Sequence, residues 1–163
     1  MIIVRNRIEL KEFTMNTPRT ILVPIDLSER SLQGLDYAAM LATATGAGLV
    51  LYCNINVPER AVLEEFGAAE HLVVDDAGMI QLRQFAEQRA PGIEASFIVG
   101  YNESPAHGIL DAATANDVDL IVVASHGRAG MTRWLLGSIA EKIARTADVP
   151  VVIVPTRAPA IEQ

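Results

Sequence analysis

Glycines and small polar residues recur in the segment IVVASHGRAGMTRWLLGS, residues 121–138, in a pattern suited to phosphate binding. Gly127 and Gly130 permit positive φ angles, so that backbone amides can turn toward an anion without a Cβ in the way. Gly137 and Ser138 then open a helix, and Ser138 with Glu141 fits a capping box that leaves free N–H groups beside Gly137. The spacing therefore predicts an anion site built largely from backbone amides.

Two other interpretations of this segment remain open. Glycines at these positions are also typical of a strand-to-helix turn that merely tightens packing. The neighbouring Ser125 and His126 place a hydroxyl beside an imidazole, but adjacent side chains of an extended chain point to opposite faces and the Gly-x-Ser-x-Gly elbow is absent. The sequence also lacks Gly-Lys-Ser/Thr and Gly-x-Gly-x-x-Gly, which argues against a P-loop or a dinucleotide loop. We therefore predict binding and assign no catalytic residue.

Hydrophobic patterning predicts alternating strands and helices that would position this loop. The predicted strands are residues 21–25, 49–53, 93–99, 119–124 and 151–154. The predicted helices are residues 28–45, 69–89, 104–115 and 138–146, with Ser28 or Ser31 as the cap of the first. Such alternation favours an α/β fold with a parallel sheet and helices on both of its faces. The strand at 93–99 alternates imperfectly, as expected of an edge strand.

Three segments, ILVPIDLSERS, VDLIVVASHGRAG and ADVPVVIVP, together resemble the universal stress protein family. The nucleotide loop of that family runs Gly, two residues, Gly, nine residues, Gly, then Ser or Thr. Here Gly127, Gly137 and Ser138 match the last three residues of this pattern, whereas Ala124 occupies the position of the first glycine. The resemblance covers residues 20–155. It implies an open five-stranded sheet of order 3-2-1-4-5, which is Rossmann-like and similar to the adenine nucleotide alpha hydrolases, with ATP and Mg²⁺ bound where strands one and four end.

The resemblance also implies roles for individual residues at that edge. Pro24 and Ile25 would face the adenine ring, and Asp26 would contact the ribose, the adenine amino group or Mg²⁺. Cys53 would form a wall of the adenine pocket. Simpler roles exist for each, namely core packing for Pro24 and Ile25, a helix cap for Asp26 and a buried, inert thiol for Cys53. Arg128 would flank the phosphates, although exposed arginines are common.

The complete predicted site follows from these arguments. Its cofactor-binding residues are Pro24, Ile25, Asp26, Cys53, Ala124, Gly127, Arg128, Gly130, Gly137, Ser138 and Ile139, and Asp26 is also the predicted metal ligand.

Composition restricts the class of protein. The 163 residues, 50% hydrophobic and 20% charged, fit one well-cored domain. The net charge of −7 argues against nonspecific nucleic-acid binding, which needs a basic surface. The sequence has no apolar stretch near the ~20 residues that span a bilayer and no signal-peptide pattern, so we expect a cytoplasmic protein. We predict a domain at 20–156, a C-terminal tail at 157–163 and an extension at 1–19 that is an upstream start, a tag remnant or a flexible arm.

The leading hypothesis is a cytoplasmic ATP-binding stress regulator that dimerises through its last strand, residues 151–154. An interaction module of the same fold that binds no nucleotide is the main alternative. An enzyme of the wider adenine-nucleotide group is the third hypothesis, with slow ATP hydrolysis as the most that the sequence suggests.

Overall fold

The computed structural model describes residues 17–55, 68–125 and 136–156, in which strands and helices alternate. The strands are β1 (Thr20–Pro24), β2 (Gly48–Asn54), β3 (Ala95–Gly100), β4 (Leu120–Ala124) and β5 (Val151–Val154). The helices are α1 (Glu29–Thr45), α2 (Ala68–Arg89), α3 (Pro105–Ala115) and α4 (Ser138–Thr146). These bounds follow the predicted elements closely. The predicted tail and most of the predicted extension lie outside the described residues.

The strands form one parallel sheet in the order β3-β2-β1-β4-β5, which confirms the predicted topology. The chain runs outward from β1 through β2 to β3, then crosses back to β4 beside β1 and ends at β5. Ligands of open parallel sheets bind at this reversal, at the carboxyl ends of the strands. The end of the sheet at which the carboxyl ends of β1, β2 and β4 lie is called the rim below.

Each face of the sheet is covered by two helices. Side chains of β1, β2 and β4 point alternately to the two faces, as the period of a strand requires. The α1 and α2 face buries Ile21, Val23, Leu35, Leu51 and Leu82. The α3 and α4 face buries Leu22, Val50, Ile109, Ile121 and Ile143. Full burial of an aliphatic side chain contributes about 1.5–3 kcal/mol, so the two layers hold the central strands in place beneath the rim.

Local sequence signals set the ends of α1 and the start of α3. Ser28 is the cap of α1, since its side chain accepts a hydrogen bond from the Ser31 N–H. Gly46 ends α1 with φ 77°, in the left-handed region that favours glycine. Pro105 occupies the first turn of α3, where its missing N–H costs no helical bond. Ser28 is thus the right choice of the two predicted caps.

Candidate functional site

Asp26 and Ala124 come to the same rim because β1 and β4 are parallel neighbours. Ile21 pairs with Leu120 and Leu22 with Ile121 in parallel, so the carboxyl ends of both strands lie at the rim. β2 joins them, since the N–H of Ile25 donates to the carbonyl oxygen of Tyr52 at 2.8 Å. The predicted residues on β1 and β4 therefore lie at one end of the sheet.

A tight turn holds Asp26 at the rim. One carboxylate oxygen, Oδ1, accepts hydrogen bonds from the Ser28 N–H at 3.1 Å and the Ser28 hydroxyl at 2.5 Å. The Asp26 N–H in turn donates to the Ser31 hydroxyl oxygen at 3.3 Å. Leu27, between Asp26 and Ser28, has φ 63°, a left-handed angle that is uncommon for residues with a Cβ. Asp26 is therefore not the cap of α1; it orients the residue that is.

The four other described residues at the ends of β1, β2 and β4 differ in exposure. Ile25 and Cys53 are each only 2% exposed, and both belong to the core beneath α1 and α2. Pro24 is half-buried at the end of β1. Ala124 is 9% exposed and packs close to Gly34 of α1, where a Cβ on Gly34 would lie 3.3 Å from the Ala124 nitrogen. The side chains of Ile25, Cys53 and Ala124 thus shape the rim from beneath.

Ser125 ties the start of α4 to the end of β4. Its carbonyl oxygen accepts a hydrogen bond from the Gly137 N–H at 2.8 Å. Its own N–H donates to the Val154 carbonyl oxygen at 2.8 Å, and its hydroxyl oxygen accepts from the Thr156 N–H at 3.1 Å. The N-terminus of α4 therefore opens at the rim that carries Asp26. Ile139, in the first turn of α4, is 41% exposed.

The predicted capping box at Ser138 is wrong. Gly137 is the residue that caps α4, with φ −61° and ψ 143°, and no side-chain cap hydrogen bond is formed. The Glu141 N–H donates instead to the Gly137 carbonyl oxygen at 2.9 Å, which makes Ser138 the first helical residue. The long-range bond from Gly137 to Ser125 holds Gly137 in the cap position, one residue before Ser138, the cap that the local pattern predicted. The amides of the first turn still point toward the rim.

The central part of the predicted loop lies outside the described residues. Gly127, Arg128 and Gly130 fall within 126–135, and so does His126. The described structure does bring the two ends of this segment together through Ser125 and Gly137.

Sequence reasoning missed a polar cluster at the end of β2, made by Tyr52, Asn54 and Asn102 and called the rim network below. The Tyr52 hydroxyl donates to Asn54 Oδ1 at 3.0 Å and accepts from Asn102 Nδ2 at 3.3 Å. Asn54 Oδ1 also accepts from the Asn102 N–H at 3.1 Å, and Asn54 Nδ2 donates to the Asn102 carbonyl oxygen at 3.0 Å. The only sequence signal was that Asn54 follows a buried strand.

Burial controls the chemistry of Tyr52. Tyr52 is 2% exposed, and loss of hydration raises the pKa of its phenol above the ordinary value of 10.0. The hydrogen bond from Asn102 acts in the opposite direction, and the charges of Cys53 and Asp111 add to the rise in pKa. The raised pKa means that Tyr52 keeps its proton further into the alkaline range than an exposed tyrosine, and its hydroxyl serves as a donor in the network.

Among the described residues, Asp26 could supply one ligand to a cation, and the remaining ligands would have to come from elsewhere. Across the described ranges, no three His, Cys, Asp or Glu side chains converge into a metal site. Mg²⁺ is commonly held by one or two carboxylates together with substrate phosphates and water, so Asp26 alone fits a cation that arrives with a nucleotide. Of the helices described, none has the length and apolar character needed to span a bilayer.

The profile of the universal stress protein family matches residues 17–155 of the chain. The chain belongs to this family. Universal stress protein YxiE of Bacillus subtilis is 33% identical over 147 residues, which cover 82% of this chain and 97% of YxiE. The resemblance predicted from the loop spacing and the two flanking motifs is therefore confirmed.

Solved universal stress proteins share the fold of this one. A universal stress protein solved in complex with cAMP matches with a TM-score of 0.62 and 23% identity, over 86% of this chain and 99% of that chain. A universal stress protein from Archaeoglobus fulgidus, solved in complex with dAMP, gives a TM-score of 0.55 and 21% identity over 83% and 96% of the two chains. The predicted Rossmann-like α/β class is confirmed by this likeness and by the strand order.

Proposed function

We propose that this universal stress protein binds ATP with Mg²⁺ at the rim and acts as a nucleotide-dependent regulator in the cytoplasm. The observation that carries the proposal is the hydrogen bond from the Gly137 N–H to the Ser125 carbonyl oxygen, at 2.8 Å. It brings the positive end of α4 to the strand end beside β1, where Asp26 is held. Amides and a carboxylate then face one cleft, an arrangement suited to phosphates and a polar sugar or cation.

In this proposal the phosphates contact the amides of Ser138 and Ile139. The N–H of Gly137 is taken by the Ser125 carbonyl oxygen, and Gly137 contributes by leaving no Cβ in the way of the phosphates. Gly127, Arg128 and Gly130, outside the described residues, complete the phosphate side. Each helix-end contact contributes about 0.3–1 kcal/mol, so several are needed together with burial of the base to reach micromolar affinity, about −8 kcal/mol.

The base and sugar side consists of residues from β1, β2 and β4. Asp26 contacts the ribose or joins the Mg²⁺ shell, and Pro24 offers apolar surface to the adenine. Ile25, Cys53 and Ala124 support that surface from beneath, in keeping with their burial. The two solved relatives bind cAMP and dAMP, which share the adenine base and a phosphate, and this supports the class of ligand.

We further propose that the protein acts as a homodimer through β5. β5 lies at the edge of the sheet and pairs with β4 on one side. Its four residues are half-buried in this chain, and a second copy would cover them and their backbone groups. A dimeric interaction module without nucleotide is the second candidate, because Ala124 stands where the family loop begins with glycine and its side chain is buried against α1.

Acid extraction of purified protein, followed by chromatography for adenine nucleotides and calorimetric titration with magnesium-ATP, tests the nucleotide proposal. We expect nucleotide with the parent and none with Gly137→Val, whose side chain would stand among the phosphate-binding amides. Gly48→Val is the matched control, since Gly48 begins β2 and so lies at the end of the sheet opposite the rim. A Cβ on Gly48 would be 3.6 Å from the Glu94 carbonyl oxygen, which is an ordinary contact. An empty parent that also gives no heat with magnesium-ATP would favour the interaction module. Repeated turnover of ATP would instead show an enzyme.

A further inference from the structure

The rim network is a closed set of hydrogen bonds in a place where an apolar side chain would suffice for packing. Phenylalanine would fill the space of the Tyr52 ring, which packs in the core under α3. The Tyr52 hydroxyl instead has both an acceptor and a donor, Asn54 and Asn102. Both the oxygen and the nitrogen of the Asn54 side chain are bonded in this part-buried network, so a displacement would leave partly desolvated groups unpaired and a single arrangement is favoured.

The surrounding backbone leaves room for this hydroxyl. A Cβ built on Gly100 of β3 or on Gly108 of α3 would overlap the Tyr52 hydroxyl oxygen. On Gly108 it would also overlap the Asn102 amide. The end of β3 and the first turns of α3 therefore approach the network more closely than any residue with a side chain would allow.

The network connects the two sides of the proposed nucleotide site. Through the Tyr52 carbonyl oxygen it holds the N–H of Ile25, the residue before Asp26. Through Asn102 it holds the loop that leads to Ser104, whose hydroxyl oxygen accepts a hydrogen bond from Lys142 Nζ of α4 at 3.2 Å. A shift at the end of β2 would therefore reach the Asp26 turn directly, whereas the helix proposed to bind phosphate joins the network indirectly, through the Lys142 side chain.

We propose that the rim network is a positioning unit that fixes the base-facing wall at the end of β2 and so makes the site discriminate adenine from guanine nucleotides. This inference rests on the proposed function. Purine bases differ in their exocyclic groups, and a pocket distinguishes them only if its wall is held to within a fraction of an ångström. The amides of α4 that would hold the phosphates are indifferent to the base. Loss of the network should therefore alter base preference and leave phosphate binding intact.

Calorimetric titration of the full chain with ATP, GTP and inorganic triphosphate tests this inference. Asn54→Ala removes three of the four network bonds, and we expect the ratio of ATP affinity to GTP affinity to fall roughly tenfold, with triphosphate binding unchanged. Tyr52→Phe keeps the ring and should give a smaller fall in the same direction. Asn116→Ala is the control, because it also removes an amide-to-backbone bond, from Nδ2 to the Ala112 carbonyl oxygen at 2.8 Å, but at the other end of α3.

Thermal unfolding of the same variants separates positioning from stability. If Asn54→Ala and Tyr52→Phe lower Tm but keep the parental ratio of ATP to GTP affinity, the inference is overturned while the proposed function stands. A parent that binds neither ATP nor GTP would overturn both. Should Asn54→Ala fail to fold, Tyr52→Phe decides alone, because its packing is preserved.

Discussion

Gly34 lies against Ala124, so that a Cβ on this α1 glycine would stand 3.3 Å from the Ala124 main-chain nitrogen and 3.7 Å from its Cβ. α1 thus packs directly on the end of β4, the strand that Ser125 connects to the N-terminus of α4. The distance across the proposed site depends on this close contact.

Enlarging Gly34 should force α1 away from β4. We expect Gly34→Val to destabilise the protein by about 1–3 kcal/mol, the range for overpacking, and to weaken nucleotide binding because Asp26 moves with α1. Urea unfolding and magnesium-ATP titration measure the two effects. Ala44→Val is the control, since Ala44 is exposed on the same helix and the change adds a β-branched residue without a clash. Equal stability of the two variants would contradict the packing argument.

Ser28 both caps α1 and holds the Asp26 carboxylate, so Ser28→Ala should have two effects. Loss of the cap should cost about 1 kcal/mol in the free energy of unfolding. Release of Asp26 Oδ1 from the hydroxyl should also weaken nucleotide binding.

Thr43→Ala is the control for Ser28→Ala. Among the contacts described, the Thr43 hydroxyl donates one hydrogen bond, to the Ala39 carbonyl oxygen of the same helix at 2.8 Å. Thr43→Ala should leave binding unchanged. If Ser28→Ala lowers stability but binds nucleotide as the parent does, the turn does not position Asp26 for the ligand.

Tyr52 should make the stability of the protein fall at high pH. Because burial raises its pKa above the ordinary 10.0, the folded protein holds this proton while the unfolded chain has begun to lose it. The stabilisation is complete below pH 10 and is lost as the pH rises through the folded pKa. Urea unfolding of the parent and of Tyr52→Phe, near neutral pH and in steps above pH 10, measures the effect. A parallel decline in both proteins would assign the alkaline loss to other groups.

The backbone of Ile153 offers a test of the proposed dimer. The carbonyl oxygen of Pro150 accepts a hydrogen bond from Ile121 of β4, and that of Val154 accepts one from Ser125, the residue after β4. Alternation along the strand therefore directs the Ile153 N–H away from β4. Ile153→Pro should therefore remove a donor from the free edge while leaving the pairing with β4 intact, and should yield a monomer.

Ile153→Ala is the control for this test, because it loses comparable side-chain packing but keeps the N–H. Sedimentation equilibrium gives the mass of each variant. We expect a dimer for the parent and for Ile153→Ala. A dimeric Ile153→Pro would place the contact on another surface.

Local patterns predicted most of the elements, because their causes lie within a few residues of one another. Ser28, one of the two predicted caps, bonds the Ser31 N–H three residues away, and the helix ends at Gly46 and Pro105 likewise depend on the residues at those positions. The capping box at Ser138 failed for the opposite reason. Its outcome was set by the Ser125 carbonyl oxygen, which lies beyond the reach of a local pattern.

The sequence by itself determined an alternating α/β chain, two-sided burial of the central strands and, through the family motifs, the strand order. Hydrophobic periodicity and short-range capping carry that information. Only the tertiary structure decided that Asn54 contacts Asn102, that Gly34 packs against Ala124 and that Gly137 caps α4. Those contacts depend on strand register and on how closely helices approach the sheet, which are set by packing of the whole domain and leave no signature at a fixed spacing along the chain.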